Sequence, residues 1–410
     1  TRVYREEVAG EGGVEALVTL LTDGTSSDIK AEAAGALWNI AAGISKMQTR
    51  VVKAGAIQPL VSLLRDPDMR TRRKAAAALT SLAVGNPTYQ NAIAQAGAIP
   101  PLVELLGGEY LGEVQIYAAG ALAELARRNP KIQTSIAATG CIAKLVSLLG
   151  GTSAEAVKEE AAGALWSLSA RHLANQVAIA EAGGTAPLVA LLSLSSARVQ
   201  EQAAGALASL ALNNETNQTS IARMLVDLLR PDDKVASGKA ARAISRLARA
   251  NPSNQEAIAA AGGIPLLVSL LNADNSRPTG LLGRSKGAEV QREMAAALWS
   301  MADDSPANQA AIAEAGGIPS LISMLTNNPD VHADAAGALW SLAAAPENQK
   351  EIAERGGIPP LVALLRTTKG AQETAGGALN SLAELPDNRV IMSDAGAVRA
   401  LVSLLENGSS

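Results

Sequence analysis

Phenylalanine is absent from the 410 residues, and aromatic residues of all kinds make up only 2%. A core built on ring packing is therefore excluded, and the 48% of apolar residues must pack through small and aliphatic side chains. One cysteine, Cys141, excludes an intramolecular disulfide framework and a multi-cysteine metal site, and it points to a reducing compartment, cytosol or nucleus. Two histidines, His172 and His332, leave imidazole catalysis little material. Positive charge is not in excess either. The 35 Lys and Arg face 39 Asp and Glu, net −4, which argues against a general binder of nucleic acid or anionic membranes. No apolar run approaches the roughly 18 residues of a membrane span, so no direct membrane insertion is expected. The start, Thr1-Arg2-Val3-Tyr4, is no signal peptide and has no initiating methionine, so a fragment or processed product is expected. Nucleophile elbow, phosphate loop and paired histidines are all missing. These gaps predict no catalytic residues, no cofactor, no metal and no enzyme.

What is there is repetition, which must be read before any domain boundary. The string Ala-Ala-Gly-Ala-Leu-Trp recurs with variations, marked by Leu37, Leu79, Leu122, Leu165, Leu207, Ile244, Leu298, Leu339 and Leu379. A second phrase keeps step with it, as in Asn175-Gln176-Val-Ala-Ile-Ala-Glu-Ala-Gly183-Gly184, and a third follows, as in Ile358-Pro359-Pro-Leu-Val-Ala-Leu-Leu. The second phrase reads as a short helix stopped by a left-handed glycine: Gly55, Gly97, Gly140, Gly183, Gly262, Gly316, Gly356 and Gly396. A proline in the first turn then opens the next helix, at Pro59, Pro101, Pro187, Pro265, Pro319 and Pro359. The Ala-rich string makes a third, longest helix that neighbours can approach closely.

Three helices in about 42 residues, with this wording, resemble tandem armadillo repeats. The resemblance covers nearly the whole chain. It extends to the α-solenoids of β-catenin, importin alpha and the plant U-box/armadillo ligases, and the wording is most similar to plant and protist armadillo proteins. It implies an all-α fold, a right-handed α-solenoid superhelix of about nine three-helix repeats plus a partial tenth. The repeats run approximately 1–43, 44–85, 86–128, 129–171, 172–212, 213–250, 251–304, 305–345 and 346–385, with 386–410 supplying two helices of the last. Such an array is read as one extended domain, 1–410. Two repeats depart from the pattern. In the sixth the connector between the first two helices is largely missing, so those helices are expected to fuse. The seventh carries an insertion, 272–288, expected as an exposed mobile loop made basic by Arg277, Arg284 and Lys286.

Armadillo relatives bind extended peptides along the concave side of their third helices, and the resemblance implies the same use here. At about 100° per residue, Glu32 and Asn39 fall within about 60° of Gly35, Trp38 lies about 60° to the other side, and Leu37 points opposite. All four tryptophans, Trp38, Trp166, Trp299 and Trp340, have an acid six residues earlier: Glu32, Glu160, Glu293 and Asp334. Acid and indole together suit a ligand Lys or Arg through charge pairing and cation–π attraction. The alternative is that each Trp packs against the next repeat and each acid is solvated. Repeat six differs in sign. Lys239, Arg242, Arg246 and Arg249 lie within about 80° of arc, with Lys74 and Arg127 at matching places in repeats two and three, which suits acidic or phosphorylated side chains. Asn39 and the serines at its sister positions are further candidates for bonding a ligand backbone. The tryptophan and asparagine ladders by which importin alpha grips a basic signal are not reproduced: Gly35 stands at the Trp position, and only Asn39 fills the Asn one.

The expectation is a non-enzymatic, monomeric scaffold or adaptor, cytoplasmic or nuclear, holding an extended protein segment of mixed charge and binding no nucleic acid. Alternatives are a karyopherin-like import adaptor, the substrate-recruiting region of a larger ubiquitin ligase, and an architectural self-associating rod.

Overall fold

The computed structural model describes residues 12–22, 26–107, 112–151, 153–192, 194, 196–274, 281–327 and 329–407. Apart from turns these are helical, with no strand among the described residues. They fall into two compact units, Thr1–Asn217 and Gln218–Ser410.

In the first unit the third helices of successive repeats are Ser27–Ala41, Met69–Ala83, Glu113–Ala126, Glu155–Ser169 and Ala197–Ala211, each packed on the next. Alanines such as Ala75, Ala76, Ala77 and Ala78 are all buried, so backbones approach closely without large side chains between them. In the second unit the corresponding helices are Lys234–Ala248, Leu281–Ala302, His332–Leu342 and Lys369–Leu382, again packed in chain order. The register residues from Leu37 to Leu379 are all core, none more than 2% exposed.

Local signals explain the boundaries. First helices start behind caps such as Asn86, Asn129 and Asn251, whose side chains accept from backbone N–H groups of the first turn. They stop at glycines that are left-handed as expected, for example Gly97 with φ 84° and Gly262 with φ 84°. The Asn-Gln phrase has a structural role that its recurrence alone did not disclose. Asn254 Nδ2 donates to the Leu247 carbonyl at 2.8 Å, at the end of the preceding third helix. Gln255 Nε2 donates to the Ser300 and Asp303 carbonyls at 2.8 and 2.9 Å, at the end of its own repeat's third helix. The amides thus satisfy orphan helix-end carbonyls across consecutive repeats.

Repeat six has one continuous helix, Glu215–Asp227, where its sisters have two, as the short connector predicts. The insertion in repeat seven differs from expectation. The second helix continues to Asp274 and the third begins at Leu281, so much of 272–288 is helical rather than loop. Extending a formed helix adds one hydrogen bond per residue fixed, and 281–288 contains no proline to stop it. Arg284 and Lys286 stand on this helix, their side chains outside the described residues, and Arg277 lies outside them altogether.

His172 caps the first helix of repeat five through Nδ1, which accepts from Asn175 N–H at 3.3 Å. Cys141 is fully buried and burial pushes its thiol up to about 12. His332 begins the third helix of repeat eight, and burial lowers its pKa.

Candidate functional site

The third-helix stripe is a chain of contacts between neighbours. A Cβ on Gly205 would stand 2.7 Å from the Trp166 ring, one on Gly337 2.6 Å from Trp299, and one on Gly377 2.5 Å from Trp340. Each of these indoles lies over the stripe glycine of the following repeat. From the other direction, a Cβ on Gly35 would meet Lys74 at 3.2 Å, one on Gly120 would meet Glu160 at 3.0 Å, and one on Gly163 would meet Gln202 at 2.9 Å. The side chain six places before the Trp position thus reaches back over the preceding repeat. Trp38 has no glycine ahead of it, because repeat two has Ala77 there. It meets Tyr117 of repeat three edge-on instead, with ring centroids 5.4 Å apart.

This geometry corrects the joint acid–indole site. Within one helix the two are about 120° apart, so the indole faces forward and the acid backward, on opposite flanks. The acids fare differently from one another. Glu32 accepts from Lys74 Nζ at 2.9 Å, and that cation with Arg70 holds its carboxyl below the ordinary value. Glu293 is buried and receives Arg242 at 2.7 Å and Arg292 at 3.3 Å. Glu160 and Asp334 make no ion pair among the described residues, and burial raises both carboxyls. Glu159 adds to the rise at Glu160, while Arg292 and Arg249 oppose it at Asp334.

The basic stripe of repeat six is divided. Arg242 is half-buried and bonded to Glu289 at 3.0 Å as well as to Glu293. Lys239 is half-buried. Arg246 and Arg249 are exposed and make no ion pair among the described residues. Arg127 is held in its own helix by Glu124 at 2.8 Å. Lys74 belongs to Glu32. Asn39 is exposed, but Ser81, Ser167, Ser209 and Ser300 at its sister positions are buried. Ser209 and Ser300 bond to Ser169 and Ser245 of adjacent repeats, each at 2.9 Å. Ser209 and Ser300 thus join helices, and burial withdraws all four from ligand bonding. Glu289 and Arg292, the partners that neutralise this network, escaped the sequence reading. They lie nine and six places before Leu298, whereas Arg242 lies two before Ile244, so the repeat register alone does not pair them.

The stripe offers solvent Asn39, the outer sides of Trp166 and Trp340, 37% and 43% exposed, and Arg246 with Arg249. Among the described residues no three His, Cys, Asp or Glu side chains converge as a metal site, and no single helix is long and apolar enough to cross a membrane.

Within each unit, the packed succession of helical repeats defines an α-solenoid repeat scaffold. Residues 2–42, 174–212 and 305–344 match the Armadillo/beta-catenin-like repeat, and residues 48–160 match the SIL1/FES1/HPBP1 C-terminal domain. A crystal structure of an engineered protein from the Northeast Structural Genomics Consortium is 35% identical, with 93% of this chain and 91% of that one covered and a TM-score of 0.62. Two further engineered proteins from the same consortium match at 32% and 34% identity. They cover 70% and 57% of this chain and 96% and 98% of theirs, with TM-scores of 0.50 and 0.51. No curated protein matches. The chain belongs to the armadillo-repeat family, whose repeats form non-enzymatic scaffolds used for protein binding.

Proposed function

We propose that the third-helix face of each compact unit holds an extended segment of a partner protein, in the cytosol or nucleus. The observation that carries this reading is the state of Trp166 and Trp340. Each ring has one side fixed on a neighbouring glycine and the other open to solvent. A ring already immobilised loses little entropy on binding, which is what interface hot spots require. In the second unit Arg246 and Arg249 add a cationic end, suited to acidic or phosphorylated side chains. The basic side chains once matched to Glu32 and Glu293 have no place, because those acids are already neutralised.

Selection of peptides from a displayed library on the whole chain tests this. Sequences recovered should combine apolar and acidic residues, and their affinity should fall in Trp166→Ala, Trp340→Ala and Arg246→Ser/Arg249→Ser variants that keep their thermal transitions. Selected peptides that bind all three variants as tightly as the parent would sink the proposal.

A further inference from the structure

The first helix of repeat two, Ser45–Lys53, differs from its sisters in charge. Aligned on the buried glutamine Gln48, the places of Lys46, Arg50 and Lys53 hold Thr88, Ala92 and Gln95 in repeat three. They hold Ala307, Ala311 and Glu314 in repeat eight. At 100° per residue the three cations fall within about 60° of arc. Like charges so placed repel one another unless something relieves them. Among the described residues the one carboxylate lining this place is Glu15, on the helix Gly13–Leu20, 3.8 Å from Arg50. These four side chains line a cavity of about 560 Å³. Its wall is fixed from the next repeat, because Tyr89 donates to the Thr49 hydroxyl at 2.9 Å. No third-helix residue takes part, so the cavity is separate from the stripe described above.

We propose that this cavity is an anion site for a phosphate group. Among the described lining residues, three cations against one carboxylate leave an excess of two positive charges, in a chain whose net charge is −4. A phosphate monoester carries about −1.5 to −2 at neutral pH and matches that excess, whereas a carboxylate leaves half of it unmet. Arg50, 3.8 Å from Glu15, carries a planar guanidinium, and the exposed Lys46 and Lys53 supply point charges on either side.

The test titrates the whole chain, labelled at its methionine methyls, with inorganic phosphate, with a phosphoserine peptide and with acetate, at constant ionic strength. Met47 lines the cavity and reports occupancy. Saturable shifts with phosphate or the phosphopeptide, and none with acetate, are expected. Tighter binding of the phosphopeptide assigns the phosphate to a protein partner, and equal or tighter binding of inorganic phosphate assigns it to a small molecule. Lys46→Ser/Lys53→Ser should weaken binding at least about tenfold, as loss of charge-assisted hydrogen bonds does. Lys350→Ser/Lys369→Ser, which makes the same change of net charge elsewhere, should not. Absence of saturation with both phosphate ligands, or equal weakening in the two double variants, overturns the site.

Discussion

Gly376 and Gly377 are adjacent in one helix, Lys369–Leu382, yet their surroundings are opposite. A Cβ on Gly376 meets nothing within 4 Å, while one on Gly377 stands 2.5 Å from the Trp340 ring. Helix propensity favours Ala over Gly by about 0.8–1 kcal/mol, so Gly376→Ala should stabilise by about that amount. Gly377→Ala should lose about 1–2 kcal/mol, because overpacking outweighs the same propensity gain. In a Trp340→Ala background Gly377→Ala should become stabilising. Urea denaturation of the four chains measures the coupling, and additivity would show that the ring does not rest on the glycine. Glu160 gives a pH test. Burial raises its pKa above 4.5, so the native state binds more protons than the unfolded one between 4.5 and the raised value. Its contribution to stability therefore falls as pH rises through that window and stays low above it. Glu160→Gln should raise Tm at neutral pH and lose that advantage near about pH 4, which melts at the two pH values will show. The glycines of the stripe were legible as small residues at a fixed angle. Which neighbour's side chain covers each was not, because periodicity fixes direction around one helix and says nothing of what lies opposite.

The elements were the most legible level, since cap, glycine stop and first-turn proline each act within a few residues. The turn after the third helix was less so. Gly43 and Gly85 take φ of 72° and 68° there, but Arg128, Arg171, Asn213, Ala250 and Asp304 adopt the same left-handed region with φ of 50–57°. A non-glycine residue pays about 1–2 kcal/mol for that conformation, offset against a glycine's extra entropy of about 0.5–1 kcal/mol in the unfolded chain. Ala250→Gly should therefore raise stability by up to about 1.5 kcal/mol, read as a shift in the urea midpoint with unchanged slope. A lower midpoint would mean that the Ala250 methyl makes contacts worth more than the strain. The amide links between elements are opposite in sign. Asn254→Ala would leave the buried Leu247 carbonyl without its 2.8 Å partner, an expected loss of about 1–3 kcal/mol.

At the scale of the whole molecule, the described contacts run mostly from one repeat to the next within each compact unit, the Trp38–Tyr117 contact between repeats one and three being an exception. Third helices pack in chain order, asparagine amides such as that of Asn254 reach one repeat back, and the indoles of Trp166, Trp299 and Trp340 reach one forward. Stability in such an array is a sum of repeat terms and nearest-neighbour interfaces, so a local perturbation should decay along the chain. Gly377→Ala provides the perturbation, at the interface between Trp340 and the helix Lys369–Leu382. Amide hydrogen exchange of the variant should speed up in the helices His332–Leu342, Pro346–Glu354 and Lys369–Leu382, which adjoin that interface. Protection in Ser27–Ala41 and Met69–Ala83, several repeats away, should match the parent. Equal loss of protection in both regions would show that the chain opens as a single cooperative body. The nearest-neighbour account of how Trp and Gly secure each joint would then fail as an account of the whole.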